Sequence, residues 1–286
     1  MTSTSSLRPV LVYLGTGFGL ALGIALALPH MGLAAPLSAL IPIIAVAVAI
    51  TVTVRPGERR TAWAAVGLRR PSLAVLALAL VLPAVITALS FGAAWIFGII
   101  HFSGGLDLNA TGQLAIGLIF GSFLFIGEEI GWRGFLYPRL AVLLPRKRAA
   151  LVSGAFHAAF HLPLLLLTTV YQFDGNRLIV VPMVMITITA AGVIYAWVND
   201  LGRSVWPVSV MHNAFNTFME TAAGLSVAGS AATLAYATTE TGIFTLLTVV
   251  GVAGLLLARS WPSNLTPANV RTQADQDQDQ ASAAIS

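Results

Sequence analysis

Apolar residues run along this chain in long blocks with no strand-like alternation. The blocks fall at about 9–29, 36–54, 72–100, 112–138, 149–170, 178–198, 204–221 and 241–258, separated by shorter polar stretches. A helix needs about 20 apolar residues to cross a bilayer core, so the pattern predicts about eight transmembrane helices. The expected fold class is all-α, a polytopic membrane helical bundle. The third block exceeds a bilayer span and contains Pro83, which predicts a tilted or kinked helix. The fourth runs on past Tyr137-Pro138, which predicts a helix continuing along the membrane surface.

Composition points the same way. Of 286 residues, 57% are hydrophobic and 9% charged, against about 25% charged in soluble domains. The net charge of +4 is not gathered into one patch, so it argues for orientation in a membrane and against a nucleic-acid partner. Arg55, Arg59, Arg60, Arg69 and Arg70 crowd the second loop, and Arg139, Arg146, Lys147 and Arg148 the fourth. Arg203 lies in the sixth loop, while the odd-numbered loops hold only Arg177. This asymmetry predicts an even number of spans with both termini cytoplasmic, in a multi-pass protein of the cell membrane. The second loop also carries Trp63 and reads equally as a short interfacial helix or a solvated loop.

The polar N-terminus precedes a run too long for a signal-peptide core, so the first helix is read as uncleaved. Residues 1–261 are expected to form one transmembrane domain. Residues 262–286 contain the Asp275-Gln276-Asp277-Gln278-Asp279-Gln280 alternation and should be a disordered polar cytoplasmic tail. With no cysteine in the chain, disulfides, thiolate metal sites and a cysteine nucleophile are excluded.

Against this apolar background, Gly127-Glu128-Glu129-Ile130-Gly131-Trp132-Arg133-Gly134 places three charges in the fourth block. A charge near the bilayer centre costs at least about 2.5–3.5 kcal/mol, so such groups pair or face a polar cavity. Glu129 and Arg133 share a helix face; a buried ion pair and a functional role are both open for them. Glu128 is turned about 100° away and lacks a local partner.

In the fifth block His157 and His161 are one turn apart, a spacing that lets two imidazoles share a metal. A histidine bonded to a helix carbonyl is the structural alternative. In the seventh block His212, Asn216 and Glu220 recur every four residues as one polar stripe, which interhelical hydrogen bonding would also explain. Glu220 lies near the outer end and reads as solvated. At about 1.5 Å per residue, Glu128, His161 and His212 lie about 12–18 Å from the arginine-rich ends of their helices. The three blocks can therefore share one site.

A carboxylate beside a histidine can hold and deprotonate a water. A second histidine and an amide can donate to the oxyanion formed when that water attacks a carbonyl. The same set could instead bind a metal such as zinc through Glu128, His161 and His212, leaving a position for water. Either route gives amide hydrolysis.

These residues resemble a known family. The Glu128-Glu129 pair followed by Arg133, the Phe160-His161-Leu162-Pro163 run, and His212 with Asn216 are similar to its three ordered motifs. The family is that of the CAAX protease and bacteriocin-processing (Abi) intramembrane proteases, which includes type II CAAX prenyl endopeptidases. The resemblance covers about residues 112–220. It implies an all-helical core with a site opening toward the cytosol. Glu128 would be the catalytic glutamate, His161 its partner on water, and His212 with Asn216 the groups completing the site. Glu129 and Arg133 would orient them. Members are labelled metalloproteases, yet a metal-free, glutamate-dependent route has been argued for them, so the cofactor is zinc or none.

One departure stands out. The family carries an aromatic residue four positions before the second-motif histidine, where this chain has His157. Either the packing role has moved by one residue to the nearby Phe156 or Phe160, or His157 is an added ligand or proton donor, which would favour a metal. The expected function is an intramembrane endopeptidase acting on a membrane-associated or lipid-anchored peptide. The alternatives are a scaffold or bacteriocin-immunity protein that keeps the motifs for structure, and a proton-coupled transporter.

Overall fold

A computed structural model describes residues 3–30, 32, 34–105, 108–169 and 175–262. The expected polar tail falls almost entirely on residues 263–286, outside the described residues. The chain is an all-α membrane helical bundle. Its long helices are α1 (Ser3–Ala27), α2 (Ala34–Thr53), α4 (Leu73–Ile96), α5 (Leu108–Glu129), α7 (Arg146–Leu167), α8 (Arg177–Gly202), α9 (Val205–Gly224) and α11 (Ile243–Ala258). Short helices α3 (Arg59–Ala64), α6 (Tyr137–Leu143) and α10 (Ala231–Ala237) join them. Six of the described helical segments are long and apolar enough to cross a membrane, and α11 is a shorter apolar helix. The strand pair β1 (His101–Phe102) and β2 (Ser226–Val227) is antiparallel.

Local sequence sets the ends of these helices. Ser72, Asn176, Ser204 and Ser230 each cap a helix by accepting a hydrogen bond from a backbone N–H of its first turn. The overlong third block resolves into α4 followed by a turn, broken at Gly98 with φ +67°. The arginine-rich second loop contains α3, whose Trp63 packs against the core.

The fourth block is not one regular α-helix. Residues Ile130–Leu136 form a π-helical segment between α5 and α6, and all seven are buried. Such wider turns shift the register of side chains and occur at functional sites. Two glycines let this bulkier segment sit deep. A Cβ on Gly131 would lie 2.5 Å from Pro42 Cβ and 2.6 Å from the Tyr13 hydroxyl, and one on Gly134 would collide with the Val66 carbonyl. Tyr13 on α1 packs its ring on Trp132 and Phe135. The largest fully buried side chains, Trp132, Arg133, Tyr13, Tyr137 and Phe135 among them, gather around this segment.

The other elements frame it. Helix α7 lies along α8, α1 along α2, and α9 packs on α4 and α5. The α7–α8 approach is very close, since a Cβ on Gly192 would lie 2.5 Å from Gly154 Cα. Beyond the π segment, Asp200 Oδ2 accepts from Tyr137 Oη at 2.6 Å, Arg146 Nη1 at 2.8 Å and Trp261 Nε1 at 2.7 Å. This cluster ties α6, α7, α8 and the end of α11 together.

Candidate active site

The π segment delivers Arg133 to the middle of the bundle, 1% exposed, next to a fully buried Glu129. Arg133 Nη1 lies 3.2 Å from Glu129 Oε1 and 3.1 Å from Oε2. The Arg133 guanidinium also stands over the Tyr195 ring at 4.8 Å, a contact favourable to a cation. Glu129 Oε1 accepts a second bond from His212 Nδ1 at 2.7 Å. Fourth- and seventh-block motifs therefore meet at Glu129.

Glu128 points to a different neighbour, His157, whose Nε2 lies 3.3 Å from Glu128 Oε2. The other ring nitrogen, Nδ1, is 3.1 Å from Arg133 Nη1. A guanidinium can only donate, so Nδ1 is the acceptor and the ring proton sits on Nε2, where it is donated to Glu128. Trp132 stacks on the His157 ring at 4.9 Å and holds its plane. His161 has the opposite tautomer, because its Nδ1 lies 3.0 Å from the His157 carbonyl, which can only accept. The lone pair of neutral His161 is therefore on Nε2.

Side-chain ligand atoms of Glu128, His157 and His161 lie within 4.8 Å of one another. His212, expected from the sequence to complete a ligand set with Glu128 and His161, is not in that group; its Nδ1 is committed to Glu129. Within the group, Glu128 and the His161 Nε2 fit a metal. His157 does not, since Arg133 occupies Nδ1 and ligation through Nε2 would require losing the remaining ring proton. That leaves two protein donors, short of the three that catalytic zinc takes.

The site lies at one end of a cavity of about 710 Å³. Glu128, His157, His161, His212 and Asn216 all line it, with Phe125, Val184 and Phe215 among its apolar walls. The walls come from Ser38 near the start of α2, Leu165 near the end of α7, and Glu220 near the end of α9. Those helix ends are opposite the arginine-bearing loops. The cavity thus extends away from the arginine-rich side, contrary to the expected opening toward it.

Several supporting groups carried no legible signal. Asn213 Nδ2 donates to the carbonyls of Gly117 and Leu118 at 3.0 and 2.9 Å, and lies 3.2 Å from Ser122 Oγ. Ser209 Oγ donates to the Ser122 carbonyl. These bonds fasten α9 to α5 at the level of the site, and Gly121 leaves room for the Asn213 amide. Glu240, from the turn before α11, also lines the cavity.

A membrane helical bundle that holds buried carboxylates and imidazoles around an internal cavity has the groups that acid–base chemistry on water needs. Residues 110–218 match the family described as type II CAAX prenyl endopeptidase Rce1-like. That stretch carries all three motifs, and the match supports the likeness to the CAAX protease family. No curated protein matches the chain.

Proposed function

We propose that the protein is an intramembrane endopeptidase that hydrolyses a peptide bond of a membrane-associated substrate with water activated by Glu128 and His161. The observation that carries this reading is the tautomer arrangement. His161 has a lone pair on Nε2 within reach of the Glu128 carboxylate, and His157 donates to that carboxylate from the other side. A water between Glu128 and His161 can lose a proton to one while being oriented by the other. His157 keeps the carboxylate in place.

Charge balance supports the rest of the mechanism. Glu129 lies between Arg133 and His212. With Glu128 and Glu129 ionised, a cationic Arg133 and a doubly protonated His212 bring the buried site to neutrality. His212 then has an N–H on the cavity wall besides the one given to Glu129. That N–H and the Asn216 amide stabilise the oxyanion as the tetrahedral intermediate forms. Breakdown returns the proton to the leaving amine. Zinc held by Glu128 and His161 would polarise the carbonyl, but the protein-only steps account for the residues present.

In the same proposal, residues 1–261 form one domain of eight crossing helices, with the arginine-rich loops and both termini cytoplasmic. The cavity then extends toward the opposite leaflet. The test is a proteomic comparison of membranes from cells carrying the wild-type chain and cells carrying Glu128→Ala. Uncleaved membrane proteins that accumulate with the variant support the reading. An unchanged set of termini, with the variant present at wild-type level, would instead fit a scaffold that keeps the motifs for structure.

A further inference from the structure

One polar group on the cavity wall takes no part in the chemistry above. Helix α8 turns Val184, Ile188, Ala191 and Tyr195 toward the cavity at spacings of three and four residues, one continuous face. Tyr195 comes last, at the end beside the site. Its ring lies 5.3 Å from the His212 ring and under the Arg133 guanidinium at 4.8 Å. Helical side chains lean toward the N-terminus of their own helix, so the phenol lies along the cavity wall.

The Tyr195 hydroxyl has no hydrogen-bond partner among the described residues, and it is open to the cavity. Elsewhere Tyr137 donates to Asp200, and Tyr236 accepts from the Asn176 N–H. The unpartnered hydroxyls of Tyr13 and Thr187 are sealed from any ligand, whereas the Tyr195 oxygen keeps accessible surface although the residue is only 5% exposed. A ring alone is enough to hold Arg133 and flank His212, and phenylalanine would supply one. The hydroxyl adds nothing to that packing. It places a donor in a largely apolar cavity, at a cost until something bonds it.

We propose that Tyr195 is a further catalytic residue, its phenol donating a hydrogen bond to the oxyanion that forms when water attacks the scissile carbonyl. This rests on the protease reading. His212 lies beside it on the cavity wall, so an N–H and an O–H serve the same oxygen while Glu128 and His161 hold the water. The phenol transfers no proton. The proton taken from water still passes to the leaving amine, and Tyr195 is neutral before and after. Because the oxyanion exists only between attack and breakdown, this bond lowers the barrier and adds little to substrate binding.

The probes are peptides cut from the membrane proteins that accumulate with Glu128→Ala, and the same peptides with a difluoroketone at the scissile position, whose hydrate copies the tetrahedral intermediate. Tyr195→Phe keeps the ring and removes the oxygen. It should lower kcat by about 10²–10³, leave KM within about twofold, and weaken ketone binding by the factor lost from kcat/KM. An unchanged kcat overturns the proposal, as does a loss carried by KM alone. Trifluorotyrosine in place of Tyr195 keeps the phenol and separates chemistry from packing. The fluorinated phenol ionises at lower pH, so the alkaline fall in kcat should move to lower pH than in the wild type; a fall that stays in place also overturns the proposal. Wild-type cleavage together with a full-rate Tyr195→Phe removes this role and leaves the protease reading standing. A wild-type protein that cleaves none of the peptides removes both.

Discussion

Arg133 Nη1 lies 3.1 Å from His157 Nδ1, and that one contact determines what His157 can do. An arginine has no acceptor, so the imidazole must offer its lone pair to the guanidinium and its proton to Glu128. His157→Gln keeps a donor of similar reach and should retain measurable cleavage. His157→Ala should lose about 10–100-fold, the usual cost of removing a group that orients a catalytic side chain. The check is kcat for both variants on a peptide cleaved by the wild type. Equal losses would remove the donor role.

Removing Arg133 has a different consequence. It leaves the fully buried Glu129 with His212 as its remaining charged partner. Breaking one side of a buried pair costs about 3–5 kcal/mol, so Arg133→Met should sharply lower the unfolding midpoint in mild detergent. Glu129→Gln/Arg133→Met removes both charges and should recover part of that loss. A single variant as stable as wild type would show that the pair does not hold the bundle.

Helix packing gives a third expectation. A methyl at Gly192 meets Gly154 Cα and lies 3.3 Å from Arg133 Nη2. Gly192→Ala should therefore cost about 1–3 kcal/mol through overpacking and also lower cleavage by moving Arg133. Gly251→Ala, where no atom lies within 4 Å of the new Cβ, should leave the melting temperature unchanged or slightly raised. Thermal unfolding of the two variants side by side distinguishes a specific contact from general intolerance of alanine.

The absence of cysteine permits a direct orientation test. Arg60→Cys lies in the arginine-rich second loop, and Ala231→Cys sits at the start of α10; both positions are exposed. In intact cells a membrane-impermeant maleimide should label Ala231→Cys and leave Arg60→Cys unlabelled until the membrane is opened. The reverse pattern would invert the proposed topology and put the cavity on the cytoplasmic side.

Much of the bundle was legible because membrane helices announce themselves by length and apolarity. The block at 178–198 and helix α8, Arg177–Gly202, differ by one residue at the start and four at the end. The Glu129–Arg133 contact follows from four-residue spacing. The π segment was hidden, since Ile130-Gly131-Trp132-Arg133-Gly134 has nothing in its local pattern to mark a wider turn. Its surroundings are tertiary: Pro42, Tyr13 and Val66 leave room for backbone alone at Gly131 and Gly134. The partition of the carboxylates, Glu129 to His212 and Glu128 to His157, was equally hidden, because it depends on how α7 and α9 face α5. Glu240 lies in a loop with no periodicity to place it. The direction of the cavity could not be read either, as it depends on where helix ends splay apart.

The most direct test of the central claim is a double-mutant comparison at Glu128 and His161 in purified protein. If the two residues act on one water, Glu128→Gln and His161→Ala should each lower kcat by about 10²–10⁴, and the double variant should be no worse than the poorer single one. All three proteins should unfold cooperatively near the wild-type temperature. Losses that multiply in the double variant, or a folded Glu128→Gln protein that cleaves at the wild-type rate, would contradict the account.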